Sequence, residues 1–122
     1  MKNDNLKLRT KEFAKRVIKV CRHLPRTEEG GLIRRQIFRS GTSVGANYRA
    51  ACRARSRADF VSKMGIVLEE ADETLYWLEI IVETKIIEQK LLAPLMKENN
   101  ELVAILVASL HTAKRRDAGA DK

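Results

Sequence analysis

Apolar residues recur at the helical period in four successive stretches of this chain, and no stretch alternates as a strand would. In the first, from Thr10 to Leu24, the residues Phe13, Val17, Val20 and Leu24 fall on one face, with Lys11, Lys15 and Arg22 opposite. Thr10 is the expected N-cap and Pro25 the stop. The second runs over 28–55, with Thr27 as its cap and Glu28 and Glu29 complementing the helix dipole in the first turn. Ile33, Ile37, Ser40, Val44 and Ala51 share its inward face. Arg35, Arg39, Arg49 and Arg53 stand on the other side, among Thr42 and Ala46. Gly30-Gly31 marks a local irregularity near its start. The middle, Ser40-Gly41-Thr42-Ser43-Val44-Gly45, is a poor helix former and needs tertiary support. Its small residues predict a closely approaching neighbour.

The third stretch opens on Ser56 with Asp59 three residues on, a capping-box spacing, and covers 57–85. Phe60, Met64, Val67, Ala71, Leu75, Leu78 and Val82 make its core stripe. Glu69, Asp72, Glu73 and Glu83 lie on the far side, and Glu70 sits nearer the core edge, placed to pair with an arginine. The fourth covers 91–116, with Pro94 tolerable only in its first turn. Its stripe is Leu95, Leu102, Leu106, Ser109, Leu110 and Ala113. Val103, Ala104, Ile105, Val107 and Ala108 extend apolar character almost all round, which predicts burial on a second side. In so small a domain that second side points to another subunit, with Val103, Ile105 and Val107 as candidate interface residues. Short connections between long helices predict an all-α, antiparallel up-and-down four-helix bundle. It forms a single domain over 1–122, with a frayed tail at 117–122.

Composition refines this picture. At 122 residues the chain suffices for one core. The net charge of +8 is unevenly spread. Residues 1–57 hold 16 basic and 4 acidic side chains, whereas 58–113 hold 4 and 10. A polyanion would choose the first half. Cys21 and Cys52 are too few and too far apart for a disulfide framework or zinc site, and read as buried reduced thiols. Met1-Lys2-Asn3-Asp4-Asn5 carries no apolar stretch, so no signal peptide and no membrane span are expected, and the cytoplasm is the expected compartment.

Catalytic chemistry finds little support. A di-iron bundle needs Glu-x-x-His pairs, but Val20 and Ala108 stand three residues before His23 and His111. Nothing resembles a nucleophile–base pair, so no enzyme activity, metal, cofactor or small-molecule substrate is expected. Gly41-x-x-x-Gly45 has polar surroundings and reads as close helix packing in water. Trp77 borders the core stripe, Tyr76 faces outward, and Asn47 at the edge of the inward face of helix two is expected to bond a neighbouring helix. The arginine stripe has two open readings. It is either a face braced by acids of helix three or a polyanion-binding surface that, with Lys11, Lys15 and Arg22, neutralises phosphates without reading bases. The corresponding partners are RNA or DNA, or an acidic protein docked on a scaffold.

The run Gln36-Ile37-Phe38-Arg39-Ser40-Gly41-Thr42-Ser43-Val44-Gly45-Ala46-Asn47 carries more specific information. It resembles the signature of the bacterial four-helix-bundle family named for proteins encoded in intervening sequences of 23S ribosomal RNA genes. The pattern continues through Ala54, Ser56, Asp59-Phe60, Glu69-Glu70-Ala71-Asp72-Glu73-Thr74, Trp77-Leu78, Glu101-Leu102 and Ile105-Leu106. Ala50 departs from it, standing where many members carry glutamate. The resemblance implies a homopentamer without enzymatic activity and nucleic acid as the ligand. A related branch consists of basic accessory proteins of diversity-generating retroelements, which implies a reverse transcriptase as an alternative partner.

Overall fold

Helix boundaries follow from local capping chemistry, and they shift several of the expected ends. The computed structural model describes residues 2–120, with side chains described over 5–116. It contains α1 (Lys2–His23), α2 (Glu28–Cys52), α3 (Arg57–Glu83) and α4 (Gln89–Ala120). There is no strand among the described residues. Thr10 is not a cap. It is fully buried inside α1, and its hydroxyl donates to the Leu6 carbonyl at 2.9 Å. Leu6, also buried, continues the apolar stripe by a turn, so the helix continues with it. Thr27 caps α2 as expected, accepting the Gly30 N–H at 3.1 Å. Gly30 marks no irregularity: a Cβ there would lie 2.1 Å from the Pro25 carbonyl oxygen, so the corner requires glycine.

Helix α2 stops at Cys52, short of the expected Arg55, and Arg53 is its C-cap. Ser56 then caps α3 by accepting the Asp59 N–H at 3.0 Å. The Asp59 carboxylate accepts from the Arg55 backbone at 3.2 Å and from the Lys63 ammonium at 2.7 Å. The hydrogen bonds from Lys63 and from Arg55 hold the Asp59 carboxyl below its ordinary range. Pro94 falls beyond the first turn, because α4 already starts at Gln89. Its exposed position puts the missing N–H on the solvent side. At the other end α4 runs on to Ala120, beyond the expected Arg116, while Asp121 and Lys122 lie outside the described residues.

Helix α3 ends in a six-residue hydrogen-bonded turn. The Ile86 N–H donates to the Ile81 carbonyl and the Lys85 N–H to the Val82 carbonyl, both at 3.0 Å. This geometry places Lys85 at φ 62°, the left-handed region that suits glycine. Lys85→Gly is expected to stabilise the protein by about 1 kcal/mol, since the helix end keeps its bonds and loses a crowded Cβ. A thermal melt should register this as a rise of a few degrees.

Sequential helices pack antiparallel. Gly45 sits against Thr10 and Gly41 against Val17 across the α1–α2 contact, which accounts for the small residues there. A Cβ on Gly41 would come within 2.7 Å of a Val17 methyl. Buried Ser40 and Thr74 join α2 to α3 through a 2.9 Å hydroxyl bond. Asn99, fully buried on α4, spans one turn of α3: its amide donates to the Ala71 carbonyl at 3.0 Å and accepts the Leu75 N–H at 3.1 Å. Phe13, Ile37, Met64, Leu78, Leu102 and Leu106 fill the core between these polar ties. By contrast, α1 and α4 touch at few points. Arg9 crosses that seam to Glu98, at 2.6 and 3.1 Å, and to Glu101 at 3.2 Å.

Candidate nucleic-acid interface

The basic side chains singled out by the sequence divide by what they touch. Arg39 leaves α2 toward α3 and binds two carboxylates there, Glu70 at 2.8 Å and Glu73. Glu73 also accepts the Trp77 indole N–H at 3.3 Å, and the Trp77 ring meets Tyr76 edge-on at 5.1 Å. Arg39 is therefore a clasp between helices, and Glu70, 15% exposed, is the partner its place at the core edge suggested. Lys15 pairs with Glu12 on its own helix at 3.0 Å. Lys11, Arg22, Arg35, Arg49 and Arg53 are exposed, and none forms a salt bridge among the described residues.

Removing Arg39 splits the stripe into two basic groups. One gathers at the α2–α3 turn, where Arg49 and Arg53 are joined by the exposed Arg55 and Arg57. The other gathers at the α1–α2 corner. There a cavity of about 470 Å³ is floored by Ile18, Cys21 and Phe38 and rimmed by Arg22, Arg26, Arg34 and Arg35. Arg34 is held in place by three main-chain acceptors, the carbonyls of Cys21, Leu24 and Pro25, at 3.2, 2.9 and 3.1 Å. It thereby satisfies the open end of α1, where carbonyls otherwise lack partners. Burial pushes the Cys21 thiol pKa up, so it stays protonated. Cys52 is half-buried rather than interior, because α2 ends there and the chain turns away. Both cysteines are free.

Asn47 does not tie α2 to a neighbour. It is half-buried and makes no hydrogen bond among the described residues; Asn99 performs that role from α4. Of the three candidate interface residues on α4, Val103 and Ile105 are half-buried and pack against the core of this same chain. Ile105 also lines a groove of about 1010 Å³ at the loosely packed α1–α4 end, beside Tyr48, Phe60 and Met64. Val107 is 47% exposed, flanked by exposed Ala104 and Ala108.

The sequence profile of the 23S rRNA-intervening sequence protein family matches residues 4–108. The chain belongs to this family. A crystal structure of a protein of unknown function from the S23 ribosomal protein family of Bacteroides thetaiotaomicron agrees. It is 37% identical, covers 91% of this chain and 99% of its own, and superposes with a TM-score of 0.83. No curated protein matches the chain. In this chain the signature segment over 36–47 is largely a packing motif. Ile37, Ser40, Gly41, Val44 and Gly45 are all buried against α1 or α3, while Phe38 points out at the arginine-rimmed corner. Sequence reasoning missed Arg26, Arg34 and Phe38 as parts of one corner. The available signal was the hairpin itself, since Pro25 leaves helix-end carbonyls opposite the first turns of α2. Among the described residues no three His, Cys, Asp or Glu side chains group as a metal site. No described helix is long and apolar enough to cross a membrane.

Proposed function

We propose that this protein is a non-catalytic helical bundle that assembles with copies of itself and binds RNA or DNA through its basic surface. One observation carries the reading: on the α1–α2 side, Lys11, Arg22, Arg35, Arg49 and Arg53 are exposed and lack carboxylate partners among the described residues. Guanidinium groups fixed on rigid helices neutralise phosphates and release counterions. The buried polar groups favour a structural interior. Thr10, Ser40, Thr74 and Asn99 all bond within the bundle instead of converging on a reacting atom. Filter binding of mixed-sequence RNA at several salt concentrations tests the proposal. Affinity that falls steeply with salt is expected, and salt-independent or absent binding refutes it.

The bracing role of Arg39 favours a second reading, in which the protein is a structural scaffold, such as an accessory subunit of a reverse transcriptase, whose remaining basic face docks an acidic partner. For self-assembly, the outward Ala104, Val107 and Ala108 patch supplies an apolar surface, and the family resemblance suggests five copies. Val107→Glu is the informative variant, because Ile105→Glu would damage the core of the chain itself. Light scattering of Val107→Glu should give a lower mass than wild type with helical content retained. An unchanged mass removes this face of α4 from the assembly.

A further inference from the structure

The α1–α2 corner gathers several cationic side chains beside an exposed aromatic ring. Four arginines, Arg22, Arg26, Arg34 and Arg35, line one cavity of about 470 Å³ together with Ile18, Cys21 and Phe38, and no carboxylate lines it. Cationic side chains gathered around one cleft repel one another, and an anion bound among them relieves that repulsion. Glu28 and Glu29 lie nearby in the first turn of α2, but neither forms a salt bridge with these arginines. Phe38 stands at the same cavity with 48% of its surface exposed. A large flat ring left half in water offers a stacking platform, and Ile18 extends the apolar floor beside it.

The corner is also rigid. Arg34 is anchored by its three carbonyl bonds, Thr27 caps α2, and Gly30 brings the helix start against Pro25. A ligand that matches the cavity has a flat ring for Phe38 and anionic groups on either side of it for the arginines. An acidic peptide matches the charge but offers the ring nothing. Duplex nucleic acid matches the charge but keeps its bases stacked inside. An unpaired nucleotide within a strand matches both, since its base presents a face and its flanking phosphates present charge.

We propose that this corner holds one unpaired nucleotide of a single-stranded nucleic acid, its base stacked on Phe38 and its flanking phosphates on Arg22, Arg26 and Arg35. The proposal rests on the nucleic-acid reading above and makes it specific: single strands or loops are preferred over duplex, and the corner is the source of that preference. Arg34, committed to the end of α1, shapes the site and adds charge.

Fluorescence anisotropy with a labelled 12-nucleotide single-stranded RNA, and with the same sequence annealed into duplex, tests this on the intact protein. Wild type should bind the single strand more tightly. Phe38→Leu should weaken single-strand binding by roughly tenfold or more and leave duplex binding nearly unchanged, because stacking is lost and phosphate contacts are kept. Arg22→Gln with Arg35→Gln should weaken both, and Phe38→Tyr, which keeps a ring in place, should hold the single-strand preference; a folded Phe38→Tyr that loses it overturns the stacking role. An oligomer of abasic sites should bind Phe38→Leu and wild type alike. If wild type binds neither RNA, the broader reading fails and takes this one with it. If wild type binds RNA but Phe38→Leu retains full single-strand affinity, only the corner proposal is overturned. A changed mass in light scattering with unchanged RNA affinity overturns it too, and assigns Phe38 to contact between copies.

Discussion

Gly41→Ala is expected to destabilise the protein by about 2 kcal/mol, and Gly41→Leu to prevent folding. The sign is the informative part. Helix propensity alone favours alanine over glycine by about 1 kcal/mol. The opposing effect comes from Val17, whose methyls would lie 2.7 and 2.8 Å from the new Cβ. Valine is branched at Cβ and cannot swing away within a helix. Helix α1 would have to retreat, opening the contact that buries Phe13 and Ile37. Gly65 on α3 is the control, because a Cβ there meets nothing within 4 Å. Gly65→Ala should therefore stabilise by roughly 0.5–1 kcal/mol. Urea unfolding followed by circular dichroism measures both. A gain in stability for Gly41→Ala would show that α1 is not seated on α2 as described.

Charge reversal at Arg49 and Arg53 together should reduce RNA affinity by roughly 50-fold at 50 mM salt, with little change in melting temperature. Both side chains are exposed and unpaired among the described residues, so their loss removes ligand contacts and spares the fold. The log–log salt slope should fall by about 1.4–1.8, which is two phosphate contacts. The loss should be similar for all sequences, because phosphates carry no base information. Arg39→Glu provides the contrast. It places a third carboxylate against Glu70 and Glu73 and should lower the melting temperature, with an effect on RNA no larger than that of other lost charges. A double variant at Arg49 and Arg53 that binds normally would shift the basic-surface reading away from the α2–α3 turn.

The helical period was legible because burial imposes it on whole turns at a time. Phe13, Val17 and Val20, or Met64, Val67 and Ala71, repeat the same statement about which face is inside. Helix ends were less legible, since each is decided by a few competing bonds. Thr10 has a side chain that caps helices, but it also bonds back within one, and Leu6 settles the matter from four residues away. The two asparagines show the same limit. Asn47 lies beside the small-residue run that attracts attention, whereas Asn99 sits inside a leucine stripe and carries the inter-helix bonds. A polar residue interrupting Leu95, Leu102 and Leu106 was the signal for it. The fate of each arginine depended on the rotation of α2 against α3, which no local pattern encodes. Arg9 and Glu98 stand 89 residues apart, and only the closed bundle brings them together.

The sparse contact between α1 and α4 bears on how the chain reaches this structure. Nearly all packing joins helices that follow one another in sequence, across connections of a few residues. Each hairpin can zip from its own turn without waiting for distant segments to meet, which places the protein among rapid folders, on the microsecond-to-millisecond scale. Closing the two ends of the array is the one step that demands a long search. Among the described residues Arg9 gripping two glutamates ties those ends together, beside the apolar core that both helices share. The same seam should be the first to breathe, and hydrogen exchange should find the amides of α1 opening before those of α2 and α3.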